Sequence, residues 1–350
     1  MSLLPFLSRR RRPHAATRSA ATRSAATCSA ATRSAGPSAT RSATRSAAHG
    51  VAAIACLATA LAAARPIDAR AAVSVVDDAG QTITLAQPAR RIVSLAPHVT
   101  EMLFAAGGGD RIVGTVNYSD YPPEARAIAR VGDNKALDLE RIAALKPDLI
   151  VVWRHGNAQK QTERLRALGL PLFHSEPRRL MAVPDNIEKL GVLLGTGPTA
   201  HAAAERLRAR IAALGKAHAA RPPVSVFYQV WQQPLMTLNG QHMVSDMLAL
   251  CGGRNVFADE TPLVPTISVE AVLARNPEAM ITASMGATQS DRPLADFAQW
   301  QRWQQLTAVA RGNLFTIDGD LINRAGPRAI DAAEILCRQL EIARSRRPAQ

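Results

Sequence analysis

The residues Asp138-Leu139-Glu140-Arg141-Ile142, followed by Pro147-Asp148-Leu149-Ile150, are repeated later in the chain as Ser268-Val269-Glu270-Ala271-Val272, followed by Pro277-Glu278-Ala279-Met280. Each copy begins with a helix-capping residue, places a glutamate two positions later and ends at a Lys-Pro or Asn-Pro step. After the proline, each copy continues as an apolar segment that is typical of a strand. The repeat therefore predicts two similar lobes, each containing this helix–strand unit.

The two repeat helices carry matched glutamates, Glu140 and Glu270, in their first turns. A carboxylate is favoured there by the positive end of the helix dipole. Because Ile142 and Val272 belong to the apolar face, we expect both glutamates to point outward. Two matched, exposed carboxylates favour a surface that docks on a two-fold symmetric partner. The alternative is that both are ordinary first-turn glutamates.

The net charge of +14 at pH 7 is concentrated at the N-terminus. Residues 1–72 contain 11 arginines and one aspartate, which leaves 31 basic against 27 acidic residues in the remainder. A nearly balanced remainder argues against nucleic-acid binding. The part of the chain after residue 72 is long enough for two domains of ordinary size.

The N-terminal segment has the features of an export signal. Ala-Thr-Arg-Ser-Ala is iterated between Ala16 and Ala48, and the apolar run Val51–Ala64 follows. As a helix this run spans about 21 Å, too short for a hydrocarbon core of about 30 Å, but suitable for the apolar region of a signal peptide. We expect residues 1–72 to be removed, with cleavage between Ala64 and Ala72, and the protein to be periplasmic.

Two of the four cysteines, Cys28 and Cys56, fall in the leader. The remaining pair, Cys251 and Cys337, favours one disulfide in an exported chain, and two unpaired buried thiols is the alternative. Neither cysteine has a second ligand at metal spacing, so a metal site at this pair is disfavoured.

Strands and helices alternate through the rest of the chain. We predict strands at 91–95, 112–116, 149–153, 172–174 and 224–230, and helices at 98–106, 138–145, 159–168 and 198–218. This alternation indicates an α/β fold of two lobes, each with a mostly parallel sheet flanked by helices. The long helix at 198–218 spans about 30 Å and is expected to join the lobes as a rigid strut. The predicted domains are residues 73–180, connecting helices at 181–222, and residues 223–345.

Motifs of the common enzyme classes are absent from the sequence. It contains no Gly-x-Gly-x-x-Gly after a strand, no Walker loop, no Gly-x-Ser-x-Gly elbow and no His-Glu-x-x-His pair. Gly107–Gly109 follows a helix and is interpreted as its C-cap. A binding protein is therefore favoured over an enzyme. A metal-dependent hydrolase using His98, His155 and His174 is the weaker alternative, since none is paired at metal spacing.

Several segments resemble one family in order along residues 90 to 340. These are Arg91–Glu101, Asn117–Pro123, Leu139–Leu149, Trp153–Asn157, Cys251–Phe257 and Arg324–Arg328. Together they resemble the periplasmic cobalamin (vitamin B12)-binding proteins of ABC importers, which belong to the helical-backbone (class III) substrate-binding proteins. The phrases Tyr-Ser-Asp-Tyr-Pro and Trp-Arg-x-Gly-Asn point to the corrinoid branch, and the others to the wider fold.

The resemblance implies a ligand cleft between two lobes and no cofactor other than the ligand. It implies that Glu140 and Glu270 meet arginines on the two subunits of a permease dimer that works with ATPase subunits. It also implies a disulfide at the positions of Cys251 and Cys337. The protein is expected to act as a monomer.

Cobalamin is a large disc with apolar faces and an amide-fringed rim, so its site needs aromatic or proline walls and a few hydrogen-bonding groups. By their positions on strand-end loops, the candidate ligand-binding residues are Pro97, Tyr118, Trp153, Trp231, Asp320 and Arg324. For Asp320 and Arg324, an i, i+4 ion pair that only shapes the loop is an equal alternative. Trp300 and Trp303 lie in an amphipathic stretch that predicts a helix and a packing role.

The chain departs from the family pattern at two places. Asn134 stands where the family commonly has a tryptophan, and Pro262–Pro265 lacks another pocket tryptophan. The alternative function is a haem or ferric-siderophore receptor of the same fold, for which Tyr118, His98 or Tyr228 could supply an axial ligand.

Overall fold

Strands and helices alternate along most of the chain that the computed structural model describes, residues 72–284 and 297–348. The strands are β1 (Val73–Val76), β2 (Thr82–Leu85), β3 (Ile92–Ser94), β4 (Ile112–Thr115), β5 (Leu149–Trp153), β6 (Leu172–Ser175), β7 (Val224–Gln229), β8 (Trp231–Gln232), β9 (Leu235–Met236), β10 (Gly253–Asn255), β11 (Ala279–Ser284) and β12 (Leu314–Asp318). The helices are α1 (Pro97–Ala105), α2 (Leu139–Ala144), α3 (Gln159–Ala167), α4 (Ala182–Leu194), α5 (Gly197–His218), α6 (Met243–Leu250), α7 (Val269–Arg275), α8 (Thr307–Ala310), α9 (Gly319–Ile322) and α10 (Ala329–Ser345). None of these helices is long and apolar enough to span a bilayer.

The two repeat copies have the same local structure. Asp138 accepts a hydrogen bond from the backbone N–H of Arg141 (2.9 Å) where α2 begins, and the Ser268 hydroxyl accepts one from Ala271 (3.1 Å) where α7 begins. Each bond satisfies an N–H group that has no partner within its helix. The predicted caps are confirmed.

The backbone before each repeat proline is also matched. Lys146 (φ 47°) and Asn276 (φ 38°) both adopt the left-handed conformation that ends a helix. The chain then enters β5 and β11, whose first four residues are buried. The repeat thus delivers one central strand to each of two sheets.

Two four-stranded sheets, parallel throughout, form the two lobes. The first has the strand order β4–β3–β5–β6 and the second β10–β7–β11–β12. The helices that connect successive strands cover the faces of these sheets, which explains the continuous apolar runs in the central strands. The predicted fold class is confirmed.

The predicted connecting region, 181–222, contains two helices. α4 packs against α5, and α5 contains 22 residues, which corresponds to about 33 Å. α5 begins at Gly197, one residue before the predicted start, and Thr196 occupies its N-cap position. The domain boundaries given above stay a prediction.

An antiparallel hairpin of β1 and β2, which is not among the predicted strands, precedes the first lobe. Its turn is held by Asp77, whose carboxylate accepts the backbone N–H groups of Gln81 (2.8 Å) and His174 (3.0 Å) and the His174 ring (2.6 Å). Burial acts to raise the pKa of Asp77, but these hydrogen bonds lower it below its usual value. The hairpin is therefore fixed to β6.

Trp300 has the packing role expected of it, but the predicted helix around it is wrong. Residues 297–306 form turns. The Trp300 ring is fully buried against Phe227, 5.7 Å between centroids, and its Nε1 donates to Gln229 Oε1 (2.7 Å). The turn places the Trp300 indole against β7 in the core, so this packing role does not require a helix.

Cys251 and Cys337 are joined by a disulfide across a sequence separation of 86. It links the C-cap residue of α6 to the middle of α10, and both cysteines are buried.

Candidate ligand-binding cleft

A cleft lies where the carboxyl ends of strands from both sheets converge, the usual place for a ligand in α/β lobes. A cavity of about 360 Å³ is lined from the first lobe by residues after β3 and β5 and from the second by residues after β7. Its wall includes His98, Trp153, Tyr228, Leu238, His242 and Met243. A second cavity, of about 470 Å³, contains Trp231 and shares Tyr228, Val230 and Asn323 with the first. Both volumes suit small-molecule binding.

The segment Trp153–Asn157 positions the indole in this wall. Asn157 Oδ1 accepts the backbone N–H of Trp153 (2.7 Å), while Asn157 Nδ2 donates to the carbonyl of Leu95 (2.9 Å). A Cβ on Gly156 would lie 1.8 Å from the Trp153 ring, so only glycine allows the ring to fold back over this turn. The segment Trp153–Asn157 therefore orients the Trp153 side chain.

His98 is a neutral imidazole in the cleft wall. Its ring meets the Trp153 ring edge-on, with centroids 5.3 Å apart. Burial, together with the positive charge of Arg324, lowers the pKa of His98 to about 4. Among the described residues, Nε2 of His98 has no hydrogen-bond partner.

Polar groups of the second lobe face the same cavity. Tyr228 is buried and its hydroxyl lies 3.4 Å from Asn323 Oδ1. Burial raises the pKa of the Tyr228 phenol, which keeps it protonated. His242 caps α6 by accepting the backbone N–H of Val244 (3.2 Å), and burial lowers its pKa to about 4. These groups offer uncharged hydrogen-bonding atoms to a ligand.

The first lobe supplies charged groups at the cavity edge. His155 Nδ1 lies 3.2 Å from Glu176 Oε2, and the backbone N–H of His155 donates to the same oxygen (3.1 Å). Arg178 lines the cavity beside them. Glu176 and Arg178 directly follow β6, so the strand-end rule that selected Trp153 would also have found them.

The predicted ligand-binding residues differ in their positions. Trp153 and Trp231 line the two cavities, whereas Pro97, Tyr118, Asp320 and Arg324 line neither. Trp231 is 53% exposed and donates from Nε1 to the Gln233 carbonyl (2.9 Å). Tyr118 is 76% exposed and has φ 64°, a strained conformation for a tyrosine and one that often marks functional loops.

Arg324 forms the predicted i, i+4 ion pair with Asp320 (2.7 Å) and also bonds Asp120 (3.1 Å) of the first lobe. Glu101, also of the first lobe, holds Arg328 in a two-bond ion pair. No local pattern connects residues so far apart in sequence, so Asp120, Glu101 and Arg328 could not be predicted as partners.

Glu140 and Glu270 are both exposed, as expected, while Ile142 and Val272 are buried. Hydrogen bonds from its own backbone N–H and from Ser268 lower the pKa of Glu270. Both carboxylates are accessible to a partner.

The three histidines of the metal-site alternative each have a different partner in the structure. His98 contacts Trp153, His155 pairs with Glu176 and His174 pairs with Asp77. Within the described ranges, the one group with metal-ligand spacing is Glu188, His201 and Glu205 on α4 and α5. Arg208 already pairs with Glu188 (2.7 Å) and Glu205 (2.9 Å), so this group is an ion-pair cluster.

Comparison with known proteins agrees with this geometry. The family model described as periplasmic binding protein matches residues 92–321. The chain belongs to the periplasmic binding protein family. It is 38% identical over 257 residues to the vitamin B12-binding protein of Vibrio cholerae, covering 73% of this chain and 91% of that one. It is 39% identical over 250 residues to the vitamin B12-binding protein of Photorhabdus laumondii, covering 71% and 87%.

Solved structures give the same assignment for this periplasmic binding protein. The crystal structure of the Vibrio cholerae periplasmic vitamin B12-binding protein matches with a TM-score of 0.67 at 38% identity, covering 73% of this chain and 98% of that one. A periplasmic haem-binding protein from Roseiflexus matches with a TM-score of 0.64 at 25% identity, covering 73% and 99%.

Proposed function

We propose that this protein is an extracytoplasmic substrate-binding protein that captures cobalamin or a related corrinoid in the interlobe cleft and delivers it to an ABC importer. The observation that carries this proposal is the cleft itself, which is lined by Trp153 at the end of β5 in the first lobe and by Trp231 on β8 in the second. It is supported by relatives named vitamin B12-binding proteins at 38% identity.

The cleft chemistry suits a corrinoid. Trp153, Leu238, Met243 and Val264 offer apolar surface for the flat faces of the ring. Asn323, His155 and Arg178 offer hydrogen bonds for the peripheral amides. This combination of apolar walls and a few polar groups gives shape recognition without requiring a protein ligand to cobalt.

Titration calorimetry with cyanocobalamin and haem, side by side, tests the proposal. We expect one cyanocobalamin per chain and an absorbance spectrum without a new cobalt ligand from the protein. Haem binding with a spectrum typical of an axial histidine or tyrosinate ligand, together with no heat from cyanocobalamin, would contradict it.

A substitution at Trp231 tests whether cyanocobalamin binds in the cleft. Because Trp231 is half exposed, Trp231→Ala should leave stability close to wild type while weakening cyanocobalamin binding by about 0.5–1.5 kcal/mol. Leu168→Ala is the matched control, since Leu168 is 60% exposed and lines neither cavity.

A haem or ferric-siderophore receptor is the second candidate. The neutral imidazole of His98, without a partner for Nε2 among the described residues, is the observation that favours a haem ligand. Tyr228 is a poor axial ligand because burial keeps its phenol protonated. The spectra named above separate the two functions.

The proposed partner is a permease dimer with its ATPase subunits, approached by a monomeric binding protein. Glu140 and Glu270, on the matched helices of the repeat, are the proposed docking residues. One carboxylate on each lobe suits two symmetry-related permease subunits.

Export is proposed to depend on the leader, residues 1–72, which lies almost wholly outside the described residues. Its charged segment and the apolar run Val51–Ala64 suit a signal peptide. N-terminal sequencing of the secreted protein should place the new terminus between Ala64 and Ala72.

A further inference from the structure

A buried ion pair connects the two lobes beside the cleft. Glu101 lies on α1 of the first lobe and Arg328 at the start of α10 in the second. Arg328 Nη2 donates to Glu101 Oε1 (2.6 Å) and Nε donates to Oε2 (3.0 Å). The Glu101 side chain is 1% exposed, and Arg324 approaches the same carboxylate at 3.6 Å. Paired donors fix both the distance and the angle between the groups.

Two further contacts reinforce this connection. The Arg328 guanidinium lies 4.0 Å from the ring centroid of Tyr121, which belongs to the first lobe. A Cβ on Gly326 would lie 3.3 Å from the His98 carbonyl oxygen and 3.4 Å from Glu101 Oε2. Glycine therefore allows the second lobe to approach α1 more closely than any other residue would.

The connection adjoins the ligand cleft. His98, three residues before Glu101 on α1, lines the smaller cavity, and so do Asn323 and Ala325 beside Gly326. A change in the distance between Glu101 and Arg328 would therefore move both walls of the cavity relative to each other.

We propose that Glu101, Gly326 and Arg328 form an interlobe joint that sets the separation of the cleft walls. They are positioning residues, and α4 and α5 are the covalent connection that the joint supplements. The pair of Arg324 with Asp120 is a weaker outer contact, because Asp120 is 45% exposed. The effect of the joint on ligand affinity rests on the proposed function, whereas its effect on lobe separation does not.

The separation of the two lobes can be measured without ligand by double electron–electron resonance (DEER) spectroscopy between spin labels on α3 and α7. Ala167→Cys and Ala274→Cys provide exposed attachment sites, in a background carrying Cys28→Ser and Cys56→Ser. Glu101→Gln keeps the side-chain shape but replaces one acceptor oxygen with a donor, so the paired bonds are lost. We expect its interlobe distance distribution to be about twice as wide as that of the wild type.

Glu278→Gln is the matched control. Glu278 accepts two bonds from Arg347, at 2.6 and 2.7 Å, in the same paired geometry, but both residues belong to the second lobe. This variant should keep the wild-type distribution. Arg328→Lys, which keeps the charge and loses the paired geometry, should be intermediate, and it carries the test if Glu101→Gln does not fold.

Gly326→Ala tests the close approach through ligand affinity. The added methyl group should push the lobes apart by a few tenths of an ångström and raise the cyanocobalamin dissociation constant about five- to tenfold. Gly197→Ala is its control, since a Cβ there meets nothing within 4 Å. Wild-type distance distributions in Glu101→Gln and Arg328→Lys would overturn the joint, because α4 and α5 alone would then hold the lobes. Failure of cyanocobalamin binding in the wild type would instead contradict the proposed function and leave the distance measurement decisive.

Discussion

Burial of His98 makes the cleft wall sensitive to acid. The pKa of His98 is about 4 in the folded protein against about 6.5 for an exposed histidine, so the unfolded chain binds a proton first as the pH falls. Stability attributed to His98 is therefore complete above pH 6.5 and is lost as the pH falls towards 4. The loss at pH 5 is about 2 kcal/mol.

His98→Gln should remove this part of the pH dependence. We expect the difference in unfolding free energy between pH 7.5 and pH 5, measured by urea denaturation, to shrink by about 2 kcal/mol. Glu101 contributes a pH dependence of stability with the opposite sign, because burial raises its pKa despite the opposing effect of Arg328 and Arg324. Since Glu101 is present in both proteins, this contribution does not affect the comparison. His155→Gln, at a half-exposed histidine, is the control. An undiminished pH dependence in His98→Gln would show that His98 is not the group responsible.

Individual residues of the cleft could be predicted from the sequence only where a strand-end rule applies. Trp153 ends one predicted strand and Trp231 directly follows another, and each lines one of the two cavities. His242 follows no strand, so its position in the wall carried no local signal. The bond between Glu101 and Arg328 joins residues separated by 227 positions, and its partners are set by how the lobes pack.

At the scale of elements, the disulfide ties α6 to α10. Closing a loop of 86 residues restricts the unfolded chain, which stabilises the folded state by about 2–4 kcal/mol. Cys251→Ala/Cys337→Ala should lose this amount of unfolding free energy while both lobes still fold. Urea denaturation with and without dithiothreitol measures it. Reductant should destabilise the wild type but not the double variant, and equal stability of the two proteins would contradict the prediction.

The helix–strand repeat was predictable because its signals are local. Capping residues, pre-proline positions and apolar runs lie within a few residues of the structure that they determine. The β1–β2 hairpin was not predictable, since its strands contain four residues each and depend on Asp77 bonding to His174 far along the chain. The turns around Trp300 were not predictable, because apolar spacing alone cannot distinguish a helix from a folded loop over a core.

For the whole molecule, the repeat gives each lobe one exposed glutamate at the same position of the same helix. In a partly desolvated contact with a permease arginine, truncating such a glutamate costs about 2–5 kcal/mol, much of it from the unpaired partner charge. If the glutamates only begin helices, their loss costs about 0.3–1 kcal/mol of stability. The two explanations therefore predict different measurements.

Glu140→Ala/Glu270→Ala should nearly abolish uptake by the reconstituted importer while leaving cyanocobalamin affinity unchanged, because neither residue lines the cleft cavities. Each single variant should slow uptake strongly, since the two-fold partner presents one contact to each lobe. Glu124→Ala, which removes an exposed first-turn glutamate from the 3₁₀ turn Pro123–Ala127, controls for the loss of surface charge. Uptake by the double variant at the wild-type rate would mean that the matched glutamates only stabilise the first turns of their helices, and that the repeat determines the fold of the two lobes without providing a docking surface.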